Sequence, residues 1–529
     1  MYDLIIRDGT VIDGSGAPGF CADLAVRNGK IAKIARQISE PAKQTIDAGG
    51  RYVTPGFIDI HRHADINLFL PSFGEAELRQ GLTTIVNGNC GLSVVPCPPA
   101  YRAEIFRFLQ PVIGEAVLPA DFSTMEEYLS LAEQVPLPLN VGMDIGNGTV
   151  RAAVKGYQTG RLEPKELAAA QGFLCDSLAA GALGVSLGIV YAPENCYDAD
   201  GFVEVLRPMK KFGVPLVTHI RGEGDLFHQS LYEVIDIARR LEVPLHVSHL
   251  KCIGKRNWGH GVEKALDILT KARASGMDVS YDVYPYTAGS TQLIQILPPE
   301  YLKGGVEEMV RRLKDPVKRL QLTEILKQPQ DYFENLVSSI GWENIRMSTL
   351  TLPQNQKYVG KSVAEIAAMQ GKDPCECACD MLAEEQCKIS MVDFITSEED
   401  ICTILRDPYS SVISDSVYPT GGVPHPRLYG TFPRILQSYV RERGVLTLEQ
   451  AVHKMTALPA SVYHLKKGLL REGADADINV FALENIKTDA TYEAPKRFAE
   501  GFDYVLVNGE IAIDHDRMTH KPAGKVLRR

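Results

Sequence analysis

Four histidines follow short apolar runs of the sequence, and their spacing suits the binding of a metal ion. His61 and His63 are two positions apart, and side chains two apart in an extended strand point to the same side. Both imidazoles could therefore reach one ion. His219 and His249 each end a further apolar run. Four histidines at the ends of three candidate strands predict a metal site rather than isolated structural histidines.

Two other residues extend this set of candidate ligands. Asp415 ends the candidate strand at residues 411–415, where a carboxylate could bind a metal ion and also accept a proton from water. Cys90 lies in the segment Gly88-Asn89-Cys90-Gly91, whose glycines allow a tight turn. Thiolate is a good zinc ligand. A small buried thiol near the site is the alternative that the residues themselves leave open.

The elements that must position these residues alternate between short apolar runs and longer helical patterns, which predicts βα units around a parallel sheet. Eight candidate strands, the number in a TIM barrel, end at His61, Val86, Ile145, Val190, His219, His249, Val283 and Asp415. TIM barrels place their active sites at the C-terminal ends of the strands. We therefore predict an α/β fold built on a TIM (β/α)8 barrel with the candidate ligands at its mouth.

The two ends of the chain differ from this middle part. Short apolar runs near Asp-Gly and Asn-Gly, which favour hairpin turns, occur in both ends. We predict one composite β-sandwich domain from residues 1–55 and 466–529, and the barrel from residues 56–297 and 390–465. The interval 298–389 is too long for a loop and rich in helix formers. It predicts an inserted helical or mixed subdomain between the seventh and eighth strands.

The composition narrows the class of protein. The chain has 529 residues, of which 45% are hydrophobic and 23% charged, and a net charge of −10. This acidic balance argues against nucleic acid or an anionic membrane as a partner. No segment has the apolar length of a transmembrane helix. Eleven scattered cysteines without a visible export signal indicate reduced thiols in the cytoplasm. A small-molecule substrate is the expected partner, and the oligomeric state stays open.

The metal motif of the amidohydrolase superfamily is similar to the pattern formed here by His61, His63, His219, His249 and Asp415. Many binuclear members bridge their metals with a carboxylated lysine on the fourth strand, but residues 184–190 contain no lysine. Cys90 in Gly-Asn-Cys-Gly resembles instead the cysteine ligand of the N-acyl-D-amino-acid deacylases. Further stretches that resemble this family are residues 218–223, 248–251, 284–286 and 425–432. The resemblance covers nearly the whole chain.

The resemblance implies a zinc-dependent enzyme that hydrolyses the linear amide bond of N-acyl-D-amino acids to a carboxylate and a free D-amino acid. The ligands of one tightly bound zinc ion would be Cys90, His219 and His249. A second, weaker or partly filled site would be formed by His61, His63 and Asp415. Asp415 would also take a proton from the attacking water and deliver it to the leaving amine. The D stereochemistry follows from the resemblance alone.

Four further residues are candidates for binding the substrate. By resemblance, Lys251 would bind the α-carboxylate; a solvated lysine at the start of a loop is the alternative. Tyr284 and Tyr286 could hydrogen-bond a carboxylate or polarise the amide carbonyl, or could be rim aromatics. Arg427 could supply a second carboxylate contact, because guanidinium is suited to bidentate pairing.

Other residues depart from the family or are open to two interpretations. Asn147 stands where the family usually has histidine; it can form hydrogen bonds but cannot titrate. Arg221 and Glu223 could be a pair that orients the metal ligands. The cysteines of a candidate helix at positions 375, 377 and 379 are predicted to be structural thiols, since residues two apart on a helix do not share a face.

Two alternative functions remain at this level. Cyclic-amide hydrolases such as hydantoinases and dihydroorotases use similar parts, but the missing strand-four lysine and the presence of Cys90 argue against them. Some barrel proteins of this shape have lost their metal and serve as scaffolds, and the intact set of candidate ligands argues against that.

Overall fold

A computed structural model describes residues 1–115 and 117–529. The strands, in chain order, are β1 (Tyr2–Val11), β2 (Phe20–Arg27), β3 (Lys30–Ala35), β4 (Ala42–Asp47), β5 (Tyr52–Pro55), β6 (Phe57–Asp59), β7 (Leu82–Asn87), β8 (Asn140–Met143), β9 (Ile145–Gly146), β10 (Val185–Gly188), β11 (Leu216–His219), β12 (Leu245–Val247), β13 (Val279–Val283), β14 (Ala288–Gln292), β15 (Ile345–Thr349), β16 (Ser390–Phe394), β17 (Ser410–Val412), β18 (Ile478–Phe481), β19 (Phe502–Val507), β20 (Glu510–Asp514) and β21 (Arg517–Met518).

The α-helices are α1 (Glu75–Leu78), α2 (Arg102–Ile113), α3 (Met125–Ala132), α4 (Asn147–Lys155), α5 (Pro164–Ala180), α6 (Ala199–Leu206), α7 (Phe227–Leu241), α8 (His260–Ala274), α9 (Pro299–Leu302), α10 (Gly305–Lys314), α11 (Pro316–Leu326), α12 (Leu336–Ile340), α13 (Val363–Gln370), α14 (Pro374–Glu384), α15 (Glu398–Arg406), α16 (Arg427–Arg434), α17 (Leu448–Met455) and α18 (Ala457–Val462). A π-helical segment, Ile435–Glu442, continues α16.

The largest sheet combines strands from both ends of the chain. Its order is β21-β20-β19-β18-β5-β1-β2-β3, and β4 also pairs with β1. Strand β5 joins the two parts, because it runs parallel to β1 and antiparallel to β18, where Val53 lies opposite Val480. Leu24, Val53 and Leu506 are buried in one apolar cluster. The shared sheet therefore buries apolar side chains from both ends in a common core.

Parallel strands form the middle of the fold and carry the candidate site. Strands β6, β7 and β8 form one sheet, and the other has the order β17-β13-β12-β11-β10-β9. All pairings within these two sheets are parallel. A further bridge between Arg62 and Ser416 links the segments that follow β6 and β17. The predicted strand ends lie within three residues of observed ends, and this mixed α/β arrangement agrees with the coarse fold prediction.

Helix α5 shows why local sequence predicted the long helices well. Pro164 occupies the first turn, where a missing N–H costs nothing, and Glu163 and Glu166 form a reciprocal cap. Gly181, with φ of 111°, ends the helix in the left-handed region. These signals bound the helix at Pro164 and Ala180.

A small antiparallel sheet and six helices lie between β13 and α15 in the chain. The sheet has the order β14-β16-β15, and the helices are α9 to α14. Strands β14 and β16 fall outside the segment 298–389 that was predicted as an insertion. Strand β14 consists of small and polar residues, Ala-Gly-Ser-Thr-Gln, so it lacks the apolar pattern that marks a strand.

No helix in the described parts of the chain combines the length and the apolar character needed to cross a membrane.

Candidate active site

Three candidate metal ligands from three different strands meet at the C-terminal ends of the parallel strands. Cys90 follows β7, His219 ends β11 and His249 follows β12. The Cys90 Sγ lies 3.7 Å from Nδ1 of His219 and 3.5 Å from Nε2 of His249. A thiol and two imidazoles therefore converge on one point, and sulfur and nitrogen donors are the ligands that zinc prefers.

The other three candidate ligands lie directly against this group. His61 and His63 follow β6, and Asp415 follows β17. Oδ1 of Asp415 lies 3.4 Å from Nε2 of His61 and 3.5 Å from Nε2 of His63. Nε2 of His61 is also 3.2 Å from Sγ of Cys90.

The six residues form two overlapping groups that share Cys90. Within each group the ligand atoms lie within 4.8 Å of one another; the groups are His61, His63, Cys90 and Asp415, and Cys90, His219 and His249. These are the groups found among the described residues, and the cysteines of α14 belong to neither. Nδ1 of His61 and Nδ1 of His63 are buried without a hydrogen-bond partner, although buried polar atoms normally have one. The convergence of the Nε2 atoms of His61 and His63 with a thiol and a carboxylate fits a metal ion.

Backbone conformation helps to direct the ligands inward. Three of the six have φ in the left-handed region, at 55° for Cys90, 36° for His249 and 51° for Asp415. Non-glycine residues rarely adopt this conformation, and such residues cluster at functional sites. Gly88 has φ of 77°, and a Cβ there would lie 2.2 Å from the carbonyl oxygen of Asp144. The turn before Cys90 therefore requires glycine.

Glu223 contacts both histidines of the Cys90 group. Its carboxylate accepts a hydrogen bond from Nζ of Lys251 at 2.6 Å, and it lies 3.1 Å from Nδ1 of His249 and 3.6 Å from Nε2 of His219. A carboxylate on the outer nitrogen of a ligating imidazole fixes the orientation and tautomer of the ring. Glu223 is therefore placed to orient two ligands at once.

Arg427 and Lys251 both lie near the ring of Tyr284. Arg427 is fully buried, and its Nη1 lies 2.9 Å from Oδ2 of Asp415. Its guanidinium carbon is 4.9 Å from the centroid of the Tyr284 ring, and Nζ of Lys251 is 5.8 Å from the same centroid. Tyr284 and Lys251 line the main cavity together with the metal-site residues His63, Cys90, His219, His249 and Asp415.

Tyr286 lies elsewhere, since it is not among the residues that line the cavity. Its ring packs against His425 at 5.0 Å and beneath the Arg434 guanidinium. The backbone N–H of Tyr286 donates to the carbonyl of Tyr284 at 3.0 Å. The chain therefore turns here, and the rule that side chains two apart share a side of a strand does not apply.

Arg221 and Asn147 also have contacts that the sequence did not indicate. Arg221 does not pair with Glu223; its guanidinium forms three hydrogen bonds to Glu233, at 3.1, 2.9 and 2.7 Å. Asn147 is buried away from the cavity lining and donates to Glu194 at 2.7 Å. In both cases the hydrogen-bond partner lies on a segment whose proximity the sequence does not indicate.

The cavity also contains residues that the sequence analysis did not indicate. Tyr191 lies three residues after β10, and its ring is 5.0 Å from that of His219. Asp393 on β16 and Glu334 before α12 also line the cavity. The position of Tyr191 after a strand could have drawn attention to it. No local pattern marks Asp393 or Glu334, because the long excursion between β13 and β17 brings them to the site.

Burial and neighbouring charges set the protonation of the ligands. Burial lowers the pKa of His61 well below its usual value and that of His219 to about 3, so both rings are neutral, the form that binds metal. Burial raises the pKa of the Cys90 thiol, and a bound cation would favour the thiolate. For Asp415, burial acts to raise the pKa, but Arg427 and His63 outweigh it and hold the pKa well below the usual range.

Comparison with known proteins identifies the family to which this chain belongs. Residues 44–513 match the sequence profile of the amidohydrolase family, and the chain belongs to that family. It is 35% identical to the N-acyl-D-glutamate deacylase of Alcaligenes xylosoxydans xylosoxydans, over 100% of this chain and 96% of the relative. It is 33% identical to the D-aminoacylase of the same organism, over 100% and 98% of the two chains. The predicted resemblance to N-acyl-D-amino-acid deacylases is confirmed.

A solved structure is similar over the same length. The N-acyl-D-glutamate deacylase from Bordetella bronchiseptica, complexed with zinc and a phosphonate inhibitor that mimics the tetrahedral intermediate, has a TM-score of 0.83 and 31% identity, with 100% of each chain covered.

Proposed function

We propose that the protein is a zinc-dependent hydrolase that cleaves the amide bond of N-acyl-D-amino acids to give a carboxylate and a free D-amino acid. The observation that carries this proposal is the convergence of Cys90, two histidines and Glu223 beside the His61, His63 and Asp415 group. Full-length similarity to deacylases of N-acyl-D-amino acids supports the choice of substrate.

We assign one tightly bound zinc ion to Cys90, His219 and His249. Support comes from the mutual distances of their donor atoms and from Glu223, which contacts both imidazoles. A second and weaker site is assigned to His61, His63 and Asp415. This site is the weaker one because Asp415 is already engaged by Arg427 at 2.9 Å.

When bound, zinc lowers the pKa of a water molecule and polarises a carbonyl group. Asp415 is the proposed general base and acid. Its carboxylate is kept ionised beside Arg427, so it accepts a proton from the attacking water and then delivers that proton to the nitrogen of the leaving amine. Burial of the site excludes bulk water and strengthens these electrostatic interactions.

The α-carboxylate of the substrate is assigned to Lys251, Tyr284 and Arg427, which lie together beside the metal-site residues. A carboxylate here would receive hydrogen bonds from two cations and one phenol. Tyr286, the fourth predicted contact, is assigned a supporting role through its packing against His425.

We also propose how the elements form domains. The parallel strands β6 to β13 and β17 would close as a TIM (β/α)8 barrel, in which β8 and β9 count as one strand. The bridge between Arg62 and Ser416 supports this closure. The sheet that joins both ends would be the core of the composite β-sandwich domain, residues 1–55 and 466–529. Residues 56–297 and 390–465 would form the barrel, and residues 298–389 the insertion.

The test has two parts. Elemental analysis of freshly purified active protein should give near one zinc per chain. Hydrolysis of N-acetyl-D- and N-acetyl-L-amino acids should then be compared with that of hydantoin and dihydrouracil. The D series should be cleaved, and the L series and the cyclic amides should not. Active protein free of transition metal, or preferential ring opening, would contradict the proposal.

A further inference from the structure

The charges around the cavity bear on which amino-acid side chains the site accepts. Two cations, Lys251 and Arg221, line the cavity, and a third, Arg427, is buried beside the lining residue Asp415 without lining the cavity itself. Each of the three has an acidic partner. Lys251 pairs with Glu223 at 2.6 Å, Arg427 with Asp415 at 2.9 Å, and Arg221 with Glu233 at 2.7 Å.

None of these cations is available for a second carboxylate. The proposed function already uses Lys251 and Arg427 for the α-carboxylate. Arg221 is held by Glu233 through three hydrogen bonds and by the carbonyl oxygens of Asn195 and Tyr197 at 3.3 and 2.7 Å. Among the residues that the structure describes, the lining contains no lysine or arginine besides Lys251 and Arg221.

Two acidic residues, Asp393 and Glu334, line the cavity with no cation within ion-pair distance, although the charges of Lys251 and Arg427 act to lower the pKa of Asp393. Asp393 is 4% exposed, and its Oδ1 has no hydrogen-bond partner. Burial raises the pKa of Asp393 to about 6, so it is ionised at pH 8. Glu334 accepts hydrogen bonds from the backbone of Gly224 and Asp225, and neither acid forms an ion pair with any described residue.

The rest of the wall is largely apolar. The apolar residues that line it include Leu92, Val112, Ile253, Leu336, Met391 and Ile395. Gln295 adds an amide whose Nε2 has no partner, but one neutral donor does not balance a buried carboxylate. A second carboxylate in the substrate would therefore meet apolar carbon and the like charge of Asp393.

We propose that the enzyme accepts N-acyl-D-amino acids whose side chains carry no negative charge and that Asp393 excludes those with acidic side chains. This inference rests on the proposed function. It separates the chain from the N-acyl-D-glutamate deacylase to which it is 35% identical. Like charges brought together in a buried site cost several kcal/mol, which corresponds to a preference of about 100-fold or more in kcat/KM.

The test compares N-acetyl-D-glutamine with N-acetyl-D-glutamate at pH 8, because the two side chains have the same shape and differ in charge. N-acetyl-D-methionine completes the panel. We expect kcat/KM for the glutamine and methionine substrates to exceed that for glutamate by about 100-fold or more. Equal or faster cleavage of the glutamate substrate would overturn the inference and leave the proposed function standing. Failure to cleave any substrate would reject the proposed function instead.

Asp393→Asn tests the assigned residue, since it removes the charge and keeps the shape. The ratio of kcat/KM for glutamate to that for glutamine should rise about tenfold or more. Asp400→Asn is the matched control, because Asp400 is also buried with an unpartnered Oδ2 but does not line the cavity. In Asp400→Asn, the ratio of kcat/KM for glutamate to that for glutamine should equal the wild-type ratio. An unchanged ratio in folded Asp393→Asn would overturn the role of Asp393.

If that variant does not fold, Gln295→Arg replaces it. A cation added to the lining should raise the ratio of kcat/KM for glutamate to that for glutamine, and an unchanged ratio would overturn the charge argument.

Discussion

Asp415 touches two imidazoles and a guanidinium, so its charge affects several neighbours at once. We expect Asp415→Asn to fold, to keep the zinc held by Cys90, His219 and His249, and to lose kcat by at least about 100-fold, because an amide cannot accept the proton. Steady-state kinetics and metal analysis of one preparation check this. A loss smaller than about tenfold would mean that another group transfers the proton.

Cys90 and Cys377 are both buried thiols, but only Cys90 has imidazoles within reach. We expect Cys90→Ala to lose the tight zinc and most activity, because a small hydrocarbon cannot replace a thiolate ligand. Cys377→Ala should lose neither. Metal content after dialysis decides between them, with circular dichroism as the check on folding. Equal loss in both variants would mean that Cys90 is not a ligand.

Lys251 is buried and bound to Glu223. If it also binds the substrate carboxylate, Lys251→Met should lower kcat/KM by about 10- to 150-fold, since a charge-assisted hydrogen bond contributes about 1.5–3 kcal/mol. Exposed Lys255 supplies the control, and Lys255→Met should behave as wild type. On a substrate whose carboxylate is replaced by a neutral amide, Lys251→Met should match wild type. The same loss on both substrates would show that Lys251 does not bind the carboxylate.

At the scale of elements, the cavity wall depends on a short helix. The Asn335 side chain caps α12 by accepting from the N–H of Ser338 at 3.1 Å. Its amide donates to the carbonyl oxygens of Ile325, Leu326 and Gln328. Its neighbours Glu334 and Leu336 line the cavity. One buried side chain therefore holds two lining residues in place.

Asn335→Ala should lower the free energy of unfolding by about 2–3 kcal/mol and raise KM more than it changes kcat. Urea unfolding and steady-state kinetics measure the two effects. Ser362→Ala is the matched control, because Ser362 caps α13 at 3.1 Å and does not line the cavity. It should lower stability by about 1 kcal/mol and leave KM unchanged. A normal KM in Asn335→Ala would mean that α12 does not shape the pocket.

At the scale of the whole molecule, bound zinc should stabilise the folded state, since its proposed ligands come from different strands. Removal of zinc with dipicolinate should lower Tm by about 4 °C, and added zinc should restore both Tm and activity. The physical reason is that a ligand bound only by the folded state stabilises that state. The chelator should not change the Tm of Cys90→Ala. An unchanged Tm in the wild type would mean that zinc does not contribute to stability.

The sequence by itself determined the mixed α/β fold and the candidate ligands, because both depend on local patterns. Alternating apolar runs gave strand ends within three residues of observed ends, and each candidate ligand lies at or just past such an end. Parallel strands in neighbouring positions bring those ends together. A residue such as Cys90 can therefore be identified from the chain alone.

Only the tertiary structure decided which side chains pair and what lines the cavity. Arg221 bonds Glu233 rather than Glu223, Tyr286 turns away, and Asp393 reaches the cavity from β16. Partner choice among charged side chains depends on distances between segments far apart in the chain, and sequence spacing carries no information about those distances. The candidate metal ligands follow from periodic patterns, whereas the cavity lining depends on how the long excursion between β13 and β17 packs.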